Sequence, residues 1–253
     1  MNTLGKRTVR GSQERGRTRI DWLDSYHTFS FGAYGAYFDP RFHHFSDLRV
    51  INDDRIQPGG GFPTHGHRDM EILTVVLKGE LRHQDSLGNG SIIRPGEIQR
   101  MTAGSGVMHS EFNASGTESL HLLQIWIHPQ EKGLPPGYEQ KSFVGDAASV
   151  DALEDLSSAA FQCIASPAGE GAAVRIHQDA YLYRASLDAG QRATFDLSSN
   201  RAYWVHVATG QVQTEGQILQ GGDAVGLTET DALLELTAQA PETQLLLFDL
   251  RQP

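Results

Sequence analysis

The chain has 253 residues, 39% of them hydrophobic and 21% charged, with a formal net charge of −10. This is a globular composition, which excludes a disordered chain. The acidic balance argues against direct nucleic-acid binding, which needs a basic field. A single cysteine, Cys163, rules out an intrachain disulfide and a cysteine-based metal site. There is no apolar leader and no run long enough to span a membrane, so a cytoplasmic protein without a membrane partner is expected.

The first 18 residues lack hydrophobic periodicity, and Lys6, Arg7, Arg10, Arg15 and Arg17 outnumber the lone acid Glu14. They read as a basic, solvated arm. An aromatic stretch follows, with alternating His27–Phe31 as a strand and Leu48–Ile51 as another. Residues 52–63 are rich in turn formers and read as the approach to His65. Glu71–Leu77, Glu80–Asp85 and Ser91–Arg94 are strand candidates separated by Lys78-Gly79, Leu87-Gly-Asn-Gly90 and Pro95-Gly96 turns. Leu120–Ile127 is a strong strand that ends at His128-Pro129. Residues 131–145, with Pro135-Pro136-Gly137, read as a linker, and Ala147–Ala160 as a short helix or irregular polar segment. Short strands then recur to the end of the chain. They cover 161–164, 173–176, 180–187, 193–197, 201–207, 210–213, 216–219, 224–225, 233–236 and 243–248. Many short strands with glycine turns predict an all-β sandwich or barrel.

The chemistry concentrates in residues 59–113. His65 and His67 are two apart, as are His109 and Glu111. On an extended strand, residues i and i+2 project from one face, so each pair aims two donor atoms at one point. If the two strands are neighbours, three imidazoles and a carboxylate converge. That N/O set suits a divalent transition metal, and the set alone does not fix which one. Read from spacing alone, Glu111 is either a ligand or a hydrogen-bond partner of a ligating histidine. Met70, Met101, Met108 and Phe112 are candidates for either a substrate cavity or plain core. His83 and His121 fall on strands and are expected to be structural or surface residues.

The Gly59…His65-x-His67…Glu71 spacing and Gly106-x-x-His109-x-x-x-Asn113 resemble the two cupin motifs. The strings PGGGFPTHGHRDMEILTVVLKGEL and MTAGSGVMHSEF, with the upstream run Asp21–Gly32, resemble the pirin family in particular. Two departures from the general cupin pattern are themselves pirin-like: one extra residue between Glu71 and Gly79, and Ala103-Gly104-Ser105-Gly106 in place of Pro-x-Gly. The resemblance implies a bicupin of two tandem β-barrel (jelly-roll) domains. The expected boundaries are a basic arm at 1–18, a metal-binding cupin at 19–130, a linker at 131–145 and a second cupin at 146–253. An internal echo supports the duplication, because Val76–Leu81 is similar to Val207–Val212. Aligning Gly79 with Gly210 sets Asp196 and Ser198 where the first half has His65 and His67, so no metal site is expected in the second cupin.

The resemblance further implies that His65, His67, His109 and Glu111 are the metal ligands. Fe(II) is favoured, and Mn, Co, Ni, Cu and Zn remain chemically compatible. Glu71 stands where many other cupins place a ligand carboxylate, and here it is expected to make a structural hydrogen bond. Bacterial pirin-like proteins are associated with quercetin 2,3-dioxygenase activity. The implied activity is therefore opening of a flavonol, or a similar aromatic enol, by O2 with release of CO, and Glu111 as the catalytic base. The partners are then a small aromatic substrate and O2. The alternative implied by the same family is an iron-binding, redox-sensing module that docks a protein, in the manner of a transcription cofactor, without catalysis.

Overall fold

A computed structural model describes residues 5–32, 36–143 and 161–253. The expected helical or irregular segment at 147–160 lies outside the described residues. The chain forms two compact units, one from the described residues of 15–146 and 166–178, the other from those of 1–14, 147–165 and 179–253. Each is built from β-strands, as expected for a bicupin.

In chain order the strands are β1 (Lys6–Arg10), β2 (Gly16–Ile20), β3 (Leu23–His27), β4 (Leu48–Ile56), β5 (Gly61–His67), β6 (Glu71–Lys78), β7 (Leu81–Asp85), β8 (Gly90–Ile93), β9 (Glu97–Thr102), β10 (Val107–Asn113), β11 (Leu120–Ile127) and β12 (Gly137–Ser142). There follow β13 (Gln162–Ser166), β14 (Val174–Arg175), β15 (Tyr181–Leu187), β16 (Arg192–Leu197), β17 (Arg201–Thr209), β18 (Gln211–Thr214), β19 (Gln217–Gln220), β20 (Ala224–Thr228), β21 (Ala232–Ala238) and β22 (Thr243–Arg251).

The first unit stacks two antiparallel sheets. The larger runs β12-β9-β6-β11-β4-β3-β2 and the smaller β5-β10-β7-β8. Apolar side chains from both faces meet between them: Leu81 and Ile93 of the small sheet pack with Ile56, Val76, Leu120 and Leu122 of the large one. The central strands β6 and β11 read as near-continuous apolar runs because most of their residues are buried. Burying one such Leu or Ile stabilises by about 1.5–3 kcal/mol. The second unit repeats the plan. Its larger sheet runs β1-β20-β17-β22-β15-β13 and its smaller β16-β21-β18-β19. Its core joins Val205, Val207, Leu245 and Leu247 to Ala193, Val212, Leu234 and Leu236. Gly79 and Gly210, the anchor of the internal alignment, both have positive φ, at 83° and 79°. A Cβ there would meet Ser119 O at 3.0 Å and Thr243 Oγ1 at 2.3 Å. Both turns therefore need glycine for the same two reasons, conformation and close approach.

Several expectations change; the strand expected at His27–Phe31 instead ends at His27, and residues 166–178, expected in the second cupin, belong to the first unit. The basic N-terminus is not a solvated arm. Lys6–Arg10 pairs along its whole length with β20, from Lys6 opposite Thr228 to Arg10 opposite Ala224, and so closes the second unit's large sheet. Residues 137–142, expected within a linker, are strand β12 on the edge of the first unit's sheet, paired with β9. Pro135 and Pro136 end just before it, as prolines commonly precede a strand they cannot join. Finally, the strand expected to stop at Ile51 continues to Ile56. It carries Asn52, Asp53 and Asp54 through the interior at 4%, 2% and 1% exposure. Turn propensity loses there to pairing on both sides, with β3 and with β11.

Candidate metal centre

β5 and β10 are neighbours in the small sheet, with His65 directly opposite His109 and His67 opposite Val107. The register slips between His109 and Glu111, so that Glu111 lies opposite Phe62. The extra residue is on β5, around Pro63, which has no N–H to give the ladder. The bulge re-aims β5 and leaves the Pro63 carbonyl free to accept the His65 Nδ1–H at 2.8 Å. That bond fixes the tautomer, so His65 Nε2 carries a lone pair.

The three imidazoles converge. Their donor nitrogens lie within 4.8 Å of one another. His65 Nε2 and His109 Nε2 are 3.0 Å apart. Two nitrogens bound cis at right angles to one metal ion at about 2.1 Å would be about 3.0 Å apart. Burial, then His109 and His65, pushes His67 down to about 4. Burial, then His65 and His83, pushes His109 down to about 3. Both are neutral at ordinary pH, the form a metal needs. His67 Nε2 is buried with no hydrogen-bond partner in the protein. Such an atom costs about 1–3 kcal/mol unless something binds it. These residues fit a divalent transition metal.

Glu111 is 1% exposed. Gln124 Nε2 donates to its Oε2 at 2.7 Å, while Oε1 is buried without a partner. It meets His109 and His83 in a second group of converging donors, with His109 common to both groups. Glu111 thus stands beside the histidine cluster, joined to it through His109.

His83, expected to be a structural or surface residue, joins this second group of donors. It lies directly opposite Glu111 on β7, is fully buried, and packs against the tilted Tyr138 ring at 5.0 Å. Its Nε2 faces Asp85 Oδ2 at 3.3 Å, and Asp85 is held in turn by Asn89. The signal was a third i, i+2 pair, His83-x-Asp85. Glu71 falls elsewhere: its Oε2 accepts from Thr102 Oγ1 at 3.1 Å and from the His177 backbone N–H at 3.3 Å. His121 pairs with Asp53 at 2.8 Å. Both are structural, as expected.

His65 and His67 open on a cavity between the two sheets, holding about 470 Å³ of space including its mouth. Leu23, Phe31, Phe62 and Trp126 supply its apolar wall; Ser25, His27, Asn52, Asp54 and Gln124 supply its polar wall. Trp126 packs edge-on against His67 at 5.0 Å. Met70 and Met101 do not line this cavity but belong to a core cluster with Ile72, Ala103 and Val107. Met108 is 46% exposed.

Comparison with known proteins agrees with this architecture. Residues 8–127 match the Pirin family and residues 163–250 the Quercetinase C-terminal cupin domain. The chain is 43% identical over 242 residues to a quercetin 2,3-dioxygenase of Escherichia coli K12, covering 96% of this chain and 97% of that protein. It is 37% identical over 230 residues to a pirin-like protein of Caulobacter vibrioides, covering 90% and 92%. The crystal structure of the E. coli bacterial pirin YhhW in complex with nickel(II) superposes with a TM-score of 0.85 at 40% identity, covering 98% of this chain and all of that one.

Proposed function

The chain belongs to the pirin family, and from that premise we propose that it is a metal-dependent dioxygenase of the quercetin 2,3-dioxygenase type. His65, His67, His109 and Glu111 hold one divalent metal, with Fe(II) the favoured ion. The substrates are O2 and a flavonol or similar aromatic enol. The observation that carries this reading is three mutually facing imidazoles, two of which open on a cavity with aromatic walls, with a carboxylate beside them. The name of the E. coli K12 relative and the nickel complex of the E. coli bacterial pirin YhhW support it.

An ion held by these residues would supply Lewis acidity, which would lower the pKa of the substrate's 3-hydroxyl. The chain does the rest. Phe31, Phe62 and Trp126 present apolar surface to the flavonol rings and exclude water. Glu111 takes the 3-hydroxyl proton. A carboxylate oxygen has two lone pairs, so Oε2 can accept a proton while it holds the Gln124 bond. Gln124 fixes the carboxylate's orientation from β11. His83 supports His109 and Glu111 from β7, itself oriented by Asp85.

The test is turnover resolved by metal. Purified protein is reconstituted with each ion, and quercetin loss and O2 uptake are followed for wild type and His65→Ala. Iron-dependent uptake that disappears in the variant is the expected result. Stoichiometric metal with no O2 uptake across several flavonols would overturn the catalytic reading in favour of a redox-sensing interaction module.

A further inference from the structure

The cavity wall facing the histidines carries an acid that the proposed chemistry leaves unused. Asp54 is 1% exposed and lines the cavity from β4. Its Oδ1 has no hydrogen-bond partner in the protein. Its polar neighbours on that wall are already engaged. His27 bridges Thr18 at 2.9 Å and Asn52 at 2.8 Å, and Gln124 is spent on Glu111. Trp126 belongs to the metal end, where it touches His67.

The register places Asp54 along the cavity. Asp54 lies opposite Ser25 on one side and Leu122 on the other. Leu122 and Trp126 are four residues apart on β11, about 13 Å at 3.3 Å per residue. The cavity therefore reaches from Trp126 and His67, past Gln124 and Asn52, to Asp54. Burial pushes the Asp54 carboxyl up to about 7; the Ser25 hydrogen bond and Arg55 oppose this, and Asp53 and Glu111 add to it. Around neutrality it is available both to donate and to accept a hydrogen bond.

We propose that Asp54 is a specificity-determining residue that binds a phenolic hydroxyl at the far end of an elongated aromatic substrate whose other end faces His65 and His67. The preferred substrates are then aromatics hydroxylated on the ring remote from the metal. This rests on the flavonol reading only for which end of the substrate faces the histidines.

The experiment measures binding, not turnover, on the full chain with and without reconstituted metal. Dissociation constants are determined for two matched pairs: a flavonol with and without hydroxyls on its pendant ring, and a flavone with and without the same hydroxyls. Each is measured for wild type, Asp54→Leu and the near-isosteric Asp54→Asn, with melting temperature as the folding control. In wild type the pendant hydroxyls tighten binding by about tenfold, the scale of one good buried hydrogen bond. That advantage disappears in Asp54→Leu and survives within about threefold in Asp54→Asn, which still offers a donor and an acceptor. Equal binding of hydroxylated and bare partners by wild type, or an advantage that persists in Asp54→Leu, would overturn the proposal. An Asp54-dependent advantage without O2 uptake would leave this assignment standing while the dioxygenase reading fell. Turnover without the advantage would do the reverse.

Discussion

The two units share a sheet order, and one transverse row in each can be matched strand by strand. In the first unit it reads His27, Asn52, Gln124, Thr74, Gln99 and Gln140 across β3, β4, β11, β6, β9 and β12. In the second it reads Cys163, Tyr183, Leu247, Val205, Val225 and Val9 across β13, β15, β22, β17, β20 and β1. One fold thus carries a polar row under a cluster of histidines and, in its duplicate, a mostly apolar row. The small sheets differ in the same way. Register puts Phe195 at the place of His65, and Leu236, fully buried, at the place of Glu111. A row of buried polar side chains is costly unless its groups find partners. Several do not within the protein, among them Thr74 Oγ1, both polar atoms of Gln99 and Glu111 Oε1. The first unit gives up stability to keep a polar interior; the second spends its interior on packing.

Breaking the metal cluster should have the largest effect. His109 is common to both groups of converging donors, so His109→Ala should abolish stoichiometric metal binding while leaving the second unit's core intact. Metal analysis with a melting curve checks both parts.

The next effect is on stability against pH. An acid whose folded pKa is raised contributes fully below its unfolded value and loses that contribution as pH rises through the folded value. For Asp54 the window runs from 3.8 to about 7. Metal-free Asp54→Asn should therefore gain on wild type between pH 4 and pH 8, by up to about 4 kcal/mol. Denaturant unfolding at the two pH values measures this, and a pH-independent difference would contradict it.

Replacing Gln124 by leucine copies the second unit's Leu247 and removes the donor to Glu111. Metal affinity or turnover should fall about 10- to 100-fold, the usual cost of losing a group that orients a ligand. The smallest change exchanges one position of the two rows. Thr74→Val should stabilise by about 1 kcal/mol, and Val205→Thr should destabilise by about 1–3 kcal/mol. Paired urea titrations would show whether the two rows differ in energy as they do in composition.

The strands of both units were legible because apolar runs alternate with glycine turns, and the second half follows its expected strands closely. His65-x-His67 and His109-x-Glu111 were legible because each pair is local: spacing of two on a strand is enough. The rest of the site is not local. Asn52, Asp54 and Gln124 come from two strands, each a single polar residue that in sequence could equally face solvent. Asn52-Asp53-Asp54 even reads as a turn. His83 joins the site only through its register with Glu111. The pairing of β1 with β20 links residues more than 200 positions apart, which no local pattern reports.

The central claim is that one unit holds a metal and the other does not. Among the described residues, groups of three converging metal-ligating side chains occur on β5, β7 and β10 of the first unit. The direct test is metal content per chain after anaerobic reconstitution with Fe(II), for wild type, His109→Ala and Asp196→Ala. The expected result is about one ion per chain in wild type and Asp196→Ala and none in His109→Ala. Two ions per chain, or one that survives His109→Ala, would contradict the account.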